Sequence, residues 1–316
     1  MLGTILIFSK RTGTRVAAAV LSAGLVLGAC GADAAAPPEL TIVATTSIAG
    51  DLVSQVVGDD VTVEVLMPIG TDPHDFQPSS QQVAALRSAD LVVAWGLDLE
   101  EGLEDVLASA SEDGVRVLEI SALVDPISFS GEDDDHAEEE HSLDPHTWMD
   151  PVRMADALRL IGVALSEVAP GEDWTERASQ AADEMLEVHE EVESILAAIP
   201  HERRKLVTNH DSFGYLAARY DFEIVGVAIP GGATLAAPSS AQITELVEVI
   251  RETGVEVLFA ETTSPAALLE AIAGEVEGVR VVELLEASLA PPGEPGDTLA
   301  GMLVVNAETI AKALGS

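Results

Sequence analysis

The sequence predicts an α/β fold of two similar lobes, each with a mainly parallel sheet covered by helices, bridged by one long linker helix. Short apolar runs alternate with helical patterns through both halves of the chain, which is typical of parallel sheets. An uninterrupted helical pattern separates the halves. PSSQQVAAL at 78–86 is also similar to PSSAQITEL at 238–246. Two lobes of similar construction explain this similarity, and the alternative is a chance recurrence of a common helix-start signal.

The N-terminal lobe is predicted to span residues 40–172. Its apolar runs are continuous rather than alternating, as expected for strands that helices cover on both faces. The sequence Pro78-Ser79-Ser80 is a helix-start signal between two of these runs, and a helical pattern from about 152 to 168 closes the lobe. The predicted strands are 40–45, 61–67, 90–95 and 115–120.

The linker helix is predicted at 173–200, where apolar residues recur on one face and Pro200 ends the pattern. The C-terminal lobe then covers 201–316 and ends in a helix from about 298 to 314. Two lobes joined by a helix leave a cleft between them, which is a usual place for a ligand. The strands predicted in this lobe are 205–209, 222–228, 255–261 and 279–284.

The composition is strongly acidic. The 316 residues include 55 Asp and Glu against 15 Lys and Arg, a net charge of −40. Such a surface repels nucleic acid and anionic membranes and concentrates cations, so we expect no nucleic-acid partner. Acidity alone selects no metal, and a solvated acidic surface is the alternative explanation for most of this charge.

The start of the chain is similar to a bacterial lipoprotein signal peptide. Three basic residues precede an apolar stretch at 16–27 that is too short to span a membrane. Leu27-Gly28-Ala29-Cys30 then resembles a lipobox, which implies a signal peptide at 1–29 and a lipid on the Cys30 thiol. The tether is then 30–39. The alternative is an ordinary signal peptide with an incidental cysteine. Cys30 is the single cysteine, which excludes an intramolecular disulfide.

Three of the 7 histidines lie in acidic, turn-forming stretches, TDPHDF, DPHTWMDP and TNHDSF. We expect His74, His146 and His210 at loop tips on the edge of the sheets where the cleft opens, since parallel sheets bind ligands there. Neutral imidazole is a common zinc ligand, and three imidazoles suffice for most of a tetrahedral site. Nearby acids that could orient the rings through their second nitrogens are Asp72, Asp75, Asp144 and Asp211.

The stretch GEDDDHAEEEH at 131–141 is almost free of apolar residues, and we expect a solvated loop there. His136 and His141 belong to it. They are interpreted either as incidental members of a charged linker or as groups for weak, fast metal capture near the site. His189 and His201 are expected on the surface.

Taken together, these motifs resemble those of the metal-binding solute receptors of bacterial ABC importers for zinc and manganese, the cluster A-I or ZnuA/TroA-like family. The resemblance covers about residues 40–314. It implies two α/β lobes with the metal between them, in an extracytoplasmic, lipid-anchored monomer that delivers metal to a membrane permease. The motifs that carry it are ATTSIAGDLVSQVVGD, DPHDFQPS, ADLVVAWGLDLE, DPHTWMDP, NHDSFGYLA and GDTLAGMLVVNAETI.

The resemblance places the first three metal ligands on His74, His146 and His210, a set that is similar to the zinc branch. Manganese receptors commonly carry glutamate at the third position. Three imidazoles also suit Zn(II) better than Mn(II). The family's fourth ligand is often an aspartate that aligns here with Ala287, which cannot ligate. The fourth ligand is therefore open between the adjacent Glu286, water and another acid.

Zn(II) is thus expected as the transported ligand of a receptor that is not an enzyme, with Mn(II) second. One alternative is a manganese or broad divalent-metal receptor of the same family. Two others are a zinc hydrolase, which would use the three histidines and a water, and a surface adhesin. The chain contains no H-E-x-x-H motif, which argues against a hydrolase. No sequence feature indicates adhesion.

Overall fold

The computed structural model describes residues 40–129, 143–229 and 238–315. The predicted signal peptide, the lipidation site Cys30 and the acidic loop with His136 and His141 lie outside the described residues. Within the described ranges no helix is both long enough and apolar enough to cross a membrane.

The N-terminal lobe contains a parallel sheet in the order β2-β1-β3-β4. The strands follow the predicted apolar runs but are one or two residues shorter at each end. Helices between them cover the sheet, and α4 closes the lobe. The elements are β1 Ile42–Ala44, α1 Ser47–Val57, β2 Val63–Val65, α2 Ser80–Ser88, β3 Leu91–Ala94, α3 Glu104–Glu112, β4 Arg116–Glu119 and α4 Pro151–Val168.

The C-terminal lobe repeats this topology, with a parallel sheet in the order β6-β5-β7-β8. In both sheets the second strand of the lobe lies at one edge, beside the first. The elements are β5 Lys205–His210, α6 Gly214–Tyr220, β6 Glu223–Ile229, α7 Ser240–Thr253, β7 Val257–Glu261, α8 Ala267–Gly274, β8 Arg280–Leu284 and α9 Leu299–Leu314.

The sequence echo between the lobes corresponds to the same structural device. Ser79 caps α2 and Ser239 caps α7, and each cap exchanges hydrogen bonds with a glutamine three residues later. This reciprocal arrangement is a capping box. Identical caps at equivalent positions of equally ordered sheets support two lobes of similar construction over a chance match.

The long helix α5, Trp174–Leu196, joins the two halves. Its 23 residues give it a length of about 35 Å, and it packs against α4, α1 and α9. Close approach to α4 depends on small residues, because a Cβ at Gly162 would lie 2.4 Å from the Cβ of Ala178. The largest core cluster includes buried residues of both lobes and of this helix.

Candidate metal centre

Both Asp-Pro-His sequences form the same local turn. The Asp72 carboxylate accepts a hydrogen bond from the backbone N–H of His74 at 3.0 Å, and Asp144 does the same for His146 at 2.8 Å. An aspartate that caps the backbone two residues later is an Asx turn, and the intervening proline fixes its own φ. The two histidines are therefore presented by pre-ordered backbone. His210 is the last residue of β5.

These turns and strand ends bring the three imidazoles together. The Nε2 atom of His146 lies 3.3 Å from that of His74 and 3.2 Å from that of His210. All three residues are buried, with at most 8% exposure. Zinc–nitrogen bonds of about 2.0–2.1 Å at tetrahedral angles place ligand nitrogens about 3.3–3.4 Å apart. The spacing thus matches the edge of a zinc coordination tetrahedron.

Carboxylates on the far side of two rings fix which nitrogen faces the centre. Nδ1 of His146 lies 2.7 Å from Asp144 Oδ1, and Nδ1 of His210 lies 2.6 Å from Glu261 Oε1. A proton on each Nδ1 satisfies these contacts and leaves the lone pair of Nε2 directed inward. The pairing of Asp144 with His146 was expected from the sequence, whereas the partner of His210 is Glu261 and not the adjacent Asp211.

Glu286 lies in the loop after β8 and points into the site. Its side chain is fully buried, and neither carboxylate oxygen has a hydrogen-bond partner among the described residues. Glu286, His210 and Glu261 each offer a ligand atom within 4.8 Å of the others. The backbone immediately before Glu286 is held by Asn306, whose side-chain amide hydrogen-bonds to both the N–H and the C=O of Leu285.

Burial and neighbouring charges shift the pKa values of the three histidines. Burial lowers the pKa of His74 to about 3, with help from the other two rings, and it lowers that of His146 well below the usual value. Burial also acts to lower the pKa of His210. The charge and hydrogen bond of Glu261, together with Glu286, outweigh this and raise the pKa to about 9.

Burial acts in the opposite direction on the carboxyl groups. It raises the pKa of Asp144 to about 7 and raises that of Glu286 well above its ordinary value, although His210 opposes the second shift. At neutral pH the metal-free site therefore holds a proton on His210, and the raised pKa of Glu286 favours the protonated form of that carboxyl group. A cation that entered the site would displace the proton on His210.

The inward-facing groups are complementary to a cation. Three imidazole nitrogens and a buried glutamate without hydrogen-bond partners converge on one region. Buried polar atoms of this kind are costly unless something satisfies them, and a divalent cation beside His210 would supply the partner that the Glu286 carboxylate lacks. The other described histidines lie elsewhere. His201 is exposed and pairs with Asp221, while His189 is half-buried against the Tyr220 hydroxyl and is less exposed than expected.

Comparison with known proteins identifies the fold and the family. The family model for zinc-uptake complex component A, periplasmic, matches residues 42–313. The chain belongs to this family. The zinc-binding protein TroA of Treponema pallidum is 29% identical over 95% of the chain and 98% of its own length. The manganese-binding lipoprotein MntA of Bacillus subtilis is 30% identical over 94% and 98%.

The solved structure of periplasmic zinc-binding protein TroA from Treponema pallidum superposes with a TM-score of 0.79 at 26% identity, covering 88% of this chain and all of that one. The two-lobed α/β fold expected from the sequence is thus confirmed. The chain is a substrate-binding protein of the metal ABC transporter family and not an enzyme, which sets the hydrolase alternative aside.

Proposed function

We propose that the protein captures Zn²⁺ with His74, His146, His210 and Glu286 and delivers it to the permease of a metal ABC importer. The observation that carries the proposal is the 3.2–3.3 Å spacing of the inward-facing Nε2 atoms. Glu286 completes the set because it is the buried carboxylate without partners beside His210. Four ligands with no open position suit capture and not turnover of a substrate.

The donor set favours zinc over manganese. Three imidazoles and one carboxylate form the small, nitrogen-rich set that Zn²⁺ accepts, whereas Mn²⁺ prefers oxygen donors. Relatives named for manganese, such as MntA, make a manganese receptor the alternative, and competition between the two metals distinguishes them.

We further propose that the protein acts outside the cytoplasmic membrane, anchored there as a monomer through a lipid on Cys30. The family is described as periplasmic and MntA is named a lipoprotein, which supports this location. The linker helix at 173–200 would divide lobes 40–172 and 201–316, and His136 and His141 would assist capture. Substitution Cys30→Ser should release the protein from the membrane fraction.

The ligand assignment is tested with pairs of matched variants. His146→Ala and Glu286→Ala should each weaken zinc binding by at least about tenfold, since each removes a bond to the metal. The controls are His201→Ala, at an exposed histidine, and Glu283→Ala, at an exposed glutamate three residues before Glu286. Affinity is measured by chelator competition.

Unchanged zinc affinity in His146→Ala would refute the site, and unchanged affinity in Glu286→Ala would refute the fourth ligand alone. Delivery is tested in cells that lack the gene. Their zinc accumulation should be restored by the intact protein and not by the His146→Ala variant.

A further inference from the structure

The loop at 285–290, which carries Glu286, forms three hydrogen bonds to the N-terminal lobe through backbone groups, besides a contact between two side chains. The indole N–H of Trp148 donates to the Glu286 carbonyl at 3.1 Å. The backbone N–H of Gly70 donates to Ser288 Oγ at 2.8 Å. The backbone N–H of Leu289 donates to Ser47 Oγ at 3.1 Å. Glu286 thus belongs to the C-terminal lobe in sequence, but N-terminal residues hold its loop.

Ser288 is the centre of this arrangement. Its side chain is almost fully buried, and its hydroxyl accepts from Gly70, donates to the Leu289 carbonyl at 3.2 Å and lies 3.4 Å from the Ser47 hydroxyl. A serine hydroxyl has one donor and two acceptor sites, so these contacts use its capacity. The same hydroxyl lies two residues from the proposed fourth ligand.

The Gly70 N–H that donates to Ser288 belongs to the loop that carries the first proposed ligand, His74. Gly70 precedes His74 by four residues, in the loop that follows β2. One hydrogen bond therefore joins the loop that presents His74 to the loop that presents Glu286. Gly70 is exposed, so water can replace the serine as partner of its N–H.

We propose that Ser288, with Ser47, is a positioning residue that holds the Glu286 carboxylate at the metal when the two lobes are in contact. The inference rests on the proposed zinc site. It assigns the attachment of the 285–290 loop to the N-terminal lobe, beyond the Trp148 bond, to a hydrogen-bonded cluster, Ser47, Gly70, Ser288 and Leu289, that contains none of the metal ligands. Loss of the Ser288 hydroxyl would free the loop on the C-terminal side of Glu286 and weaken its bond to the metal.

A double-mutant cycle with zinc alone as the probe tests this role. Ser288→Ala should raise the zinc dissociation constant about tenfold in the otherwise intact protein, the lower end of the range for groups that orient ligands. In the Glu286→Ala background the same change should have less than about a twofold effect, because no carboxylate remains to be positioned. Ser54→Ala is the matched control, since that hydroxyl donates within α1 to the Gly50 carbonyl.

Equal losses in both backgrounds would overturn the positioning role, because a merely structural defect acts with or without Glu286. If Glu286→Ala binds zinc like the unaltered protein, the fourth ligand is wrong and the positioning role fails with it. Thermal unfolding of the metal-free variants checks that each is folded. Should Ser288→Ala not fold, Ser47→Ala enters the same cycle, since it removes the acceptor of the Leu289 N–H, with the same outcomes expected.

Discussion

Zinc binding by this protein is expected to weaken as the pH falls from 8 to 6, because His210 holds a proton in the metal-free site. Its pKa is raised to about 9 by Glu261 and Glu286 against the effect of burial. Nδ1 faces Glu261, so the added proton occupies Nε2, the atom that would bind the metal. Below the pKa of about 9 zinc must displace this proton, and the displacement becomes harder with each unit of acidification.

The size of the loss of zinc affinity follows from the pKa of His210. One competing proton lowers the apparent affinity about tenfold per pH unit below the pKa, or about 100-fold between pH 8 and pH 6. His74, with a pKa of about 3, does not compete in this range. Glu286, whose pKa burial raises, makes the dependence steeper wherever it is still protonated.

Two measurements check the prediction. Chelator competition at pH 6, 7 and 8 gives the slope, and calorimetry in buffers of different ionisation enthalpy counts the protons released. Glu261→Gln is the informative variant, because it removes the charge that raises the pKa of His210 and should flatten the slope between pH 7 and 8. An affinity at pH 6 within about threefold of that at pH 8 would refute the assignment of the proton to His210.

Three further expectations concern ligand orientation, packing and linkage. Asp144→Asn should weaken zinc binding about 10–100-fold by chelator competition, because Asp144 orients His146, and an unchanged affinity would contradict this. Gly162→Ala should lower the free energy of unfolding in urea by about 1–3 kcal/mol through its clash with Ala178. Gly274→Ala, with open space around it, should not, and equal losses would refute the packing argument. Zinc at about 1,000 times its dissociation constant should stabilise the fold by about 4 kcal/mol, and excess chelator should abolish this shift in thermal unfolding.

The convergence of the three histidines could be predicted because their sequence signals are local. Each Asp-Pro-His sequence encodes its own turn, in which the aspartate bonds the backbone N–H of His74 or His146. His210 ends a buried strand, and parallel strands end at one edge of their sheet. The two Asx turns and the common edge at which parallel strands end together predict that these histidines lie near one another.

Glu261 was missed because its role depends on strand order. An acid that ends an apolar strand is no signal by itself. In the folded sheet β5 and β7 are neighbours with Thr208 opposite Phe259, and two residues further along each strand His210 meets Glu261. The sequence shows both strands but not that they are adjacent, so the nearer Asp211 was the expected partner.

The orientation of Glu286 could not be predicted for a similar reason. The sequence places it beside Ala287, in a loop whose direction depends on Asn306 in α9 and on Trp148 in the other lobe. These contacts span 21 and 138 positions of the chain. Contacts between distant segments determine the orientation of the Glu286 carboxylate, so this orientation is visible only in the folded chain.

The most direct test of zinc capture by three histidines and a glutamate is competition between Zn²⁺ and Mn²⁺ for residues 31–316 at neutral pH, with a chelator as reference. We predict one tight zinc site per chain and much weaker manganese binding, in keeping with the nitrogen-rich donor set. Weak zinc binding at many sites, or a single site that prefers manganese, would contradict it.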